Sequence, residues 1–307
     1  MENALINVAA YVAIIIAGFV MGRSGTLGNQ PGAMVSKIVF TFTLPCAVIH
    51  AFGSADFTPQ LLLLVPLGFA CAVSAYFVTL AITRKRGHND RLFFLLNGCG
   101  FNIGCFVLPF VQAIFSPTMV VATCMFDAGN AFMMAGGSYA FTGLFAGSGK
   151  IDHPLRFIAK RLLTSLPFDA YLLLIGLALL NIRIPEQVVT FTAPLANANG
   201  FLAMFMLGLM MKFSFDKHKI LNVLELVGLR LVYASVFTAL IWLVLPFDAT
   251  LKAVLMLLVW GPSSALAPMY TNMSGGDGGL AGFANATTII VGVIAATTIA
   301  LMFGGLA

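Results

Sequence analysis

Residues 92–110 read L-F-F-L-L-N-G-C-G-F-N-I-G-C-F-V-L-P-F. The stretch is apolar and long enough to cross a bilayer, for which about 20 helical residues at about 1.5 Å each suffice. Yet Gly98, Gly100, Gly104 and Pro109 interrupt it, and the polar Asn97 and Asn102 sit among them. Counted from the basic loop at Arg91, Asn102 lies roughly 15 Å in, near the centre of a membrane. Glycine and proline there are expected to unwind the helix, and unwound backbone is tolerated at that depth only where it lines a cavity or meets a ligand. Close helix packing through small residues, with prolines as plain kinks, is the competing reading.

Working outward, the rest of the chain has the same solvent preference. Hydrophobic residues make up 60% of the 307 and charged residues 9%, against roughly 25% in soluble domains. Ten apolar stretches, about 3–22, 32–53, 58–82, 92–115, 118–146, 162–182, 188–212, 226–246, 252–273 and 280–304, predict an all-α integral membrane protein of ten transmembrane helices. The first stretch lacks the basic flank and the small-residue cleavage site of a secretory signal and is expected to be a retained helix. Loops after odd-numbered spans hold twelve lysines and arginines, and those after even-numbered spans hold only Arg183 and Lys252. The bias places both termini on the non-cytoplasmic side of a cell (plasma or inner) membrane.

The longest polar stretch, 147–161, splits the chain into a first five-helix repeat (1–147), a cytoplasmic linker (148–161) and a second repeat (162–307). Five helices per half invert the second relative to the first. Span nine is interrupted like span four, by Gly261, Pro262 and Pro268 in W-G-P-S-S-A-L-A-P, with Ser263 and Ser264 level with Asn102. Matching broken segments in two halves point to a transporter's binding site. If the two breaks cross, their half-helix N-termini offer free N–H groups that suit a carboxylate. The substrate-binding candidates are therefore Asn97, Asn102, Gly104, Pro109, Asn130, Pro262, Ser263 and Ser264. Asp127, in M-F-D-A-G-N of span five, is an expensive mid-membrane carboxylate and the candidate for ion or proton coupling. A structural, hydrogen-bonded acid is the plainer alternative for it.

Other polar residues carry blander expectations. Pro45 is a kink or part of a gate, Asp169 a structural or capping residue near the interface, and Arg230 and Lys37 can snorkel. The five cysteines lie in apolar spans as small buried hydrophobes, no histidine pair has metal-ligand spacing, and S-G-G-D-G-G-L at 274–280 reads as a turn. The basic residues make no nucleic-acid-like stripe.

Several of these runs resemble the auxin efflux carrier family, which includes malonate and malate permeases. The matching residues are F-N-I-G-C-F-V-L-P at 101–109, similar to the family pattern Asn-x-Gly-x-x-Gly-x-Pro, with F-D-A-G-N in span five, S-L-P-F-D-A-Y at 165–171 and W-G-P-S-S in span nine. Val107 stands where the family has its second glycine, and a β-branched residue stiffens that turn. The resemblance implies a five-plus-five inverted repeat with crossing spans four and nine, a scaffold and a transport domain, often a homodimer, and carriage of organic anions such as dicarboxylates. It carries binding roles to Asn102, Asp127, Asn130, Pro262 and Ser263.

The expected function is thus a secondary transporter of a small organic anion working by alternating access, with a sodium ion or a proton as coupling ion and no cofactor, catalytic residue or metal. A cation carrier or antiporter on the same scaffold, with Asp127 as chief ligand, is the alternative. An intramembrane enzyme finds no support, because no histidine shares a layer with a serine such as Ser263.

Overall fold

The computed structural model describes residues 2–55, 57–147, 152–214 and 216–303, and every regular element among them is a helix. The chain begins with α1 (Glu2–Ser24). Next, α2 (Pro31–Ile38) runs through a π-helical turn (Val39–Thr43) into α3 (Leu44–Gly53). A 3-10 turn (Pro59–Leu63) opens α4 (Leu64–Ile82); α5 (His88–Gly98) then stops, and after a break a π-helical turn (Ile103–Val107) leads into α6 (Leu108–Ile114). The first half closes with α7 (Pro117–Phe132), another π-helical turn (Met133–Gly137) and α8 (Ser138–Ala146). The second half comprises α9 (Pro154–Leu162), α10 (Leu166–Leu179), α11 (Glu186–Met210), α12 (Lys217–Val244), α13 (Ala249–Val259), α14 (Ala267–Met273) and α15 (Gly278–Phe303).

Among the described residues, seven helical segments are long and apolar enough to cross a membrane, or up to nine if each of two bent pairs is one span. One bent pair is α5 with the helix from Ile103, at 49°; the other is α9 with α10, at 77°. The predicted stretch 252–273 is divided between the shorter α13 and α14. Large apolar side chains such as Phe191 (81% exposed) and Leu243 (84% exposed) point away from the protein, as a lipid-facing surface requires. The bulkiest fully buried side chains are aromatic: Tyr76, Phe94, Phe106, Phe110 and Phe126.

Helices touch backbone to backbone where glycines face each other. A Cβ on Gly129 of α7 would run into the Val65 carbonyl of α4, and one on Gly68 of α4 into the Phe126 carbonyl. That small-residue seam fixes α7, and with it Asp127, against α4.

The fold departs from three expectations. The described part of the expected linker, from Pro154, is not a loop but α9, whose apolar side packs Phe157 beside Tyr139 at 5.5 Å while Arg156 and Lys160 stay exposed. Arg230 does not snorkel. Helix α12 starts at Lys217, nine residues before the expected span, so Arg230 lies about 20 Å from its end and is buried. Span five, expected as one continuous helix, contains the π-helical turn at Met133–Gly137, where Gly136 adopts φ 154°. Pro45 occupies the second position of α3, directly after a π-helical turn, where a ring without an N–H is accommodated without breaking the segment.

Candidate functional site

Both interrupted stretches are broken in the fold. At the end of α5 the backbone turns extended at Cys99 (φ −105°, ψ 161°) and left-handed at Gly100 (φ 71°), a conformation in which a side chain would be strained. At the other break the chain leaves α13 at Trp260 and resumes helix only at Ala267. The breaks meet: the Asn102 N–H donates to the Pro262 carbonyl at 2.9 Å. Val107 contributes to the same crossing, since a Cβ on Gly261 would stand 3.0 Å from its methyl group.

Unwound backbone in this interior has to find partners. Side chains of neighbouring helices serve each break. Asn130 of α7 accepts from the Phe101 N–H (3.1 Å) and donates to the Phe101 carbonyl (2.8 Å). Asn285 of α15 donates to the carbonyls of Ser263 (2.9 Å) and Ser264 (3.0 Å), while Thr288 accepts from the Ser263 N–H at 3.2 Å.

Asp127 is tied to the first of these clamps. One carboxylate oxygen accepts from Asn130 Nδ2 at 3.0 Å and the other from the Tyr171 hydroxyl of α10 at 2.9 Å. On the opposite side of the crossing, Arg230 donates through Nη1 to the carbonyls of Gly100 (3.0 Å), Asn97 and Gly98 (both 3.3 Å), and through Nη2 to that of Gly261 at 2.8 Å. The guanidinium thus binds both breaks and also lies 5.7 Å from the Phe101 ring centre.

A cavity of about 110 Å³ opens beside the crossing, on the Asp127 side. Asn102, Gly104, Asp127, Asn130 and Ser264 line it, together with Tyr171, Ser165 and Phe168. It approaches the ~150 Å³ of a cavity known to accept a benzene-sized molecule. Asn102 is 5% exposed and its Nδ2 has no hydrogen-bond partner. At the start of the helix from Ile103, the Ile103 N–H donates to the Phe101 carbonyl at 3.0 Å and the Val107 N–H to that of Asn102 at 3.3 Å.

The remaining sequence candidates stand elsewhere. Asn97 is buried behind the break, donating to Phe93 O (2.8 Å) and Thr271 Oγ1 (3.2 Å), and Pro109 lies inside the first turn of α6. Pro262 lines a separate small recess beside Arg230, and Ser263 is fully buried against Asn285 and Thr288. Asp169 falls in the first turn of α10 with its N–H on Ser165 O, and it does not line the cavity. Tyr171, Asn285 and Thr288 were not singled out from sequence, and Arg230 was read only as able to snorkel. The signal for Asn285 was an asparagine in an otherwise apolar final span, the same signal that drew attention to Asn130. Among the described residues no group of three or more His, Cys, Asp or Glu could hold a metal ion.

With this geometry in view, two likenesses bear on identity. Residues 4–150 match the model of the family described as membrane transport protein. An uncharacterized transporter of Methanothermobacter thermautotrophicus is 24% identical over 268 residues, which are 85% of this chain and 85% of that protein. The family match ends near the close of α8, whereas the likeness to the archaeal transporter extends through most of the second half. Helices of membrane-crossing length, two breaks in contact and the match over residues 4–150 agree: the chain is a multi-pass membrane protein, and its first half is similar to the membrane transport protein family, that of the auxin efflux carriers.

Proposed function

We propose that this transporter carries a small organic carboxylate by alternating access, with the cavity beside the crossed breaks as its binding site. The observation that carries the reading is the buried, unpartnered Nδ2 of Asn102 at the cavity wall. A buried donor without an acceptor costs roughly 1–3 kcal/mol, and a carboxylate oxygen supplies the missing acceptor. The N-terminal end of the helix that starts at Ile103 adds partial positive charge at the same place.

Asp127 shares the cavity, and two carboxylates there repel. A proton or a sodium ion bound at Asp127 removes that repulsion, which is the physical basis of coupling. We further read the helices as ten spans in a five-plus-five inverted repeat, with 1–147 and 162–307 as its halves. The like duties of Asn130 and Asn285, each clamping the break of the preceding span, support this. The bias of basic loops supports an orientation with the Ser165 side of the cavity toward the cytoplasm and both termini outside.

The test uses malonate as probe. Malonate is expected to raise the melting temperature of detergent-purified protein, because a ligand of the native state stabilises it. It is also expected to accumulate in proteoliposomes bearing the wild type but not Asp127→Asn. Stabilisation by sodium alone, with no organic acid tried having any effect, would replace this reading with that of a cation carrier.

A further inference from the structure

Arg230 is buried and Asp127 partly buried between helices, and their charges do not meet. Among the described residues the ion pairs are Arg86–Glu225 and Lys219–Asp277, neither of which involves them. Arg230 spends its donors on four backbone carbonyls, two at the C-terminal end of α5 and two in the breaks just beyond the ends of α5 and α13. Those ends carry the negative poles of the half-helix dipoles, which accounts for a cation at this spot. It does not account for how the two opposite charges are linked.

They are linked through two consecutive residues. Arg230 holds the Gly100 carbonyl at 3.0 Å, and Asn130, which itself bonds Asp127, holds both backbone groups of Phe101 at 2.8 and 3.1 Å. The Phe101 ring meanwhile lies under the guanidinium. One cannot be displaced relative to the other without breaking bonds to buried backbone, each worth roughly 1–3 of the 5–15 kcal/mol that hold a typical domain together, so the pair travels as a rigid unit.

The geometry points to Arg230 as the built-in countercharge of Asp127: the empty site changes sides carrying no net charge. This rests on the alternating-access reading and deepens it. A monovalent anion entering with one proton or sodium ion preserves that neutrality, so the sign and number of charges moved are set by the cargo and its coupling ion. Arg230 touches neither and acts as a positioning residue through the breaks it holds.

The test reads reorientation of the empty carrier. In a chain whose native cysteines are replaced, Ser165→Cys reports the cavity mouth, and its reaction with a membrane-impermeant maleimide is timed in proteoliposomes. Potentials of about 100 mV of either polarity are set with potassium gradients and valinomycin. One uncompensated charge crossing the whole field changes the side-to-side equilibrium by up to ~50-fold per 100 mV. Wild type and Arg230→Lys are expected to label at a rate indifferent to potential. Arg230→Gln and Asp127→Asn should each show a several-fold dependence, in opposite directions, and the double variant should regain indifference. If Arg230→Gln does not fold, Asp127→Asn alone must still show its dependence. Potential-dependent labelling of the wild type, single variants as indifferent as wild type, or singles shifting in the same direction would overturn the inference. Malonate takes no part in this readout, so a failure of the proposed cargo is seen separately.

Discussion

At the scale of single residues, what decides the site is whether a polar group in an apolar interior finds its partner inside the protein. Asn97, Asn102 and Asn130 look alike in the sequence, yet they do different things. Asn130 spends its amide on Phe101 and Asp127, and Asn97 donates to Phe93 and Thr271 behind the break. Only Asn102 turns a free donor into the cavity. Asn102→Ala is therefore expected to weaken malonate binding by ten- to a hundredfold, the loss of one hydrogen bond to a charged group at about 1.5–3 kcal/mol. Titration calorimetry on the purified variant checks this, and an unchanged affinity would remove Asn102 from the site. Asn102, Gly104, Asp127, Asn130 and Ser264 were legible in advance because polar groups or glycines inside an apolar span are conspicuous. Tyr171 was not, since a tyrosine in such a span reads as ordinary core until its hydroxyl is seen on Asp127.

At the scale of elements, the breaks are the structure's weak points and the clamps compensate for them. Asn130→Ala leaves the Phe101 N–H without its partner, and Asn285→Ala does the same to the Ser263 carbonyl, while the Phe101 and Ser264 carbonyls keep only the N–H groups of Ile103 and Ala267. Each variant is expected to lower the melting temperature, at roughly 1–3 kcal/mol per orphaned group. Comparable losses at the two positions would support the inverted repeat, whereas a loss at only one would count against it. A second pair of substitutions tests the helix seams. Gly129→Ala forces a methyl group onto the Val65 carbonyl and should destabilise by about 1–3 kcal/mol. Gly176→Ala, where nothing stands within 4 Å, should be neutral or stabilise by up to about 1 kcal/mol. Thermal melts in one detergent separate the two outcomes.

At the scale of the whole molecule, ties outside the spans fasten the last helices together. In the 274–280 turn Asp277 pairs with Lys219 at 2.8 Å and accepts from the Leu280 N–H at 2.9 Å, capping α15. The Lys219 ammonium, aided by that N–H, holds the Asp277 carboxyl below its ordinary value. A lowered folded-state value means that the tie contributes fully above the ordinary carboxylate range and is lost as pH falls through the lowered one. Hydrogen exchange at the start of α15 is accordingly expected to quicken on acidification below that range in the wild type. In Asp277→Asn it should be faster at neutral pH and lack the acid-dependent step; an acid step of wild-type size in the variant would show that another group is responsible. Because the pair is half exposed, salt should weaken it.

The amino-acid sequence by itself determined the membrane as solvent, the helical state, the positions of the apolar stretches and the places where two of them break. Hydrocarbon leaves backbone no partners but its own, so these properties depend on local composition and periodicity. It also supplied the bias of basic loops on which the proposed orientation rests. Only the tertiary structure decided that the breaks touch, that α9 is a helix where a linker was expected, and that Arg230 lies deep beneath the crossing. Nor could residue spacing reveal which asparagine is left with a free donor. These facts depend on which distant groups satisfy one another: Asn102 with Pro262, Asn285 with Ser263, and Arg230 with Gly100 and Gly261. Hydrogen-bond partners drawn from different spans leave no periodic trace in either span, which is why they had to be seen.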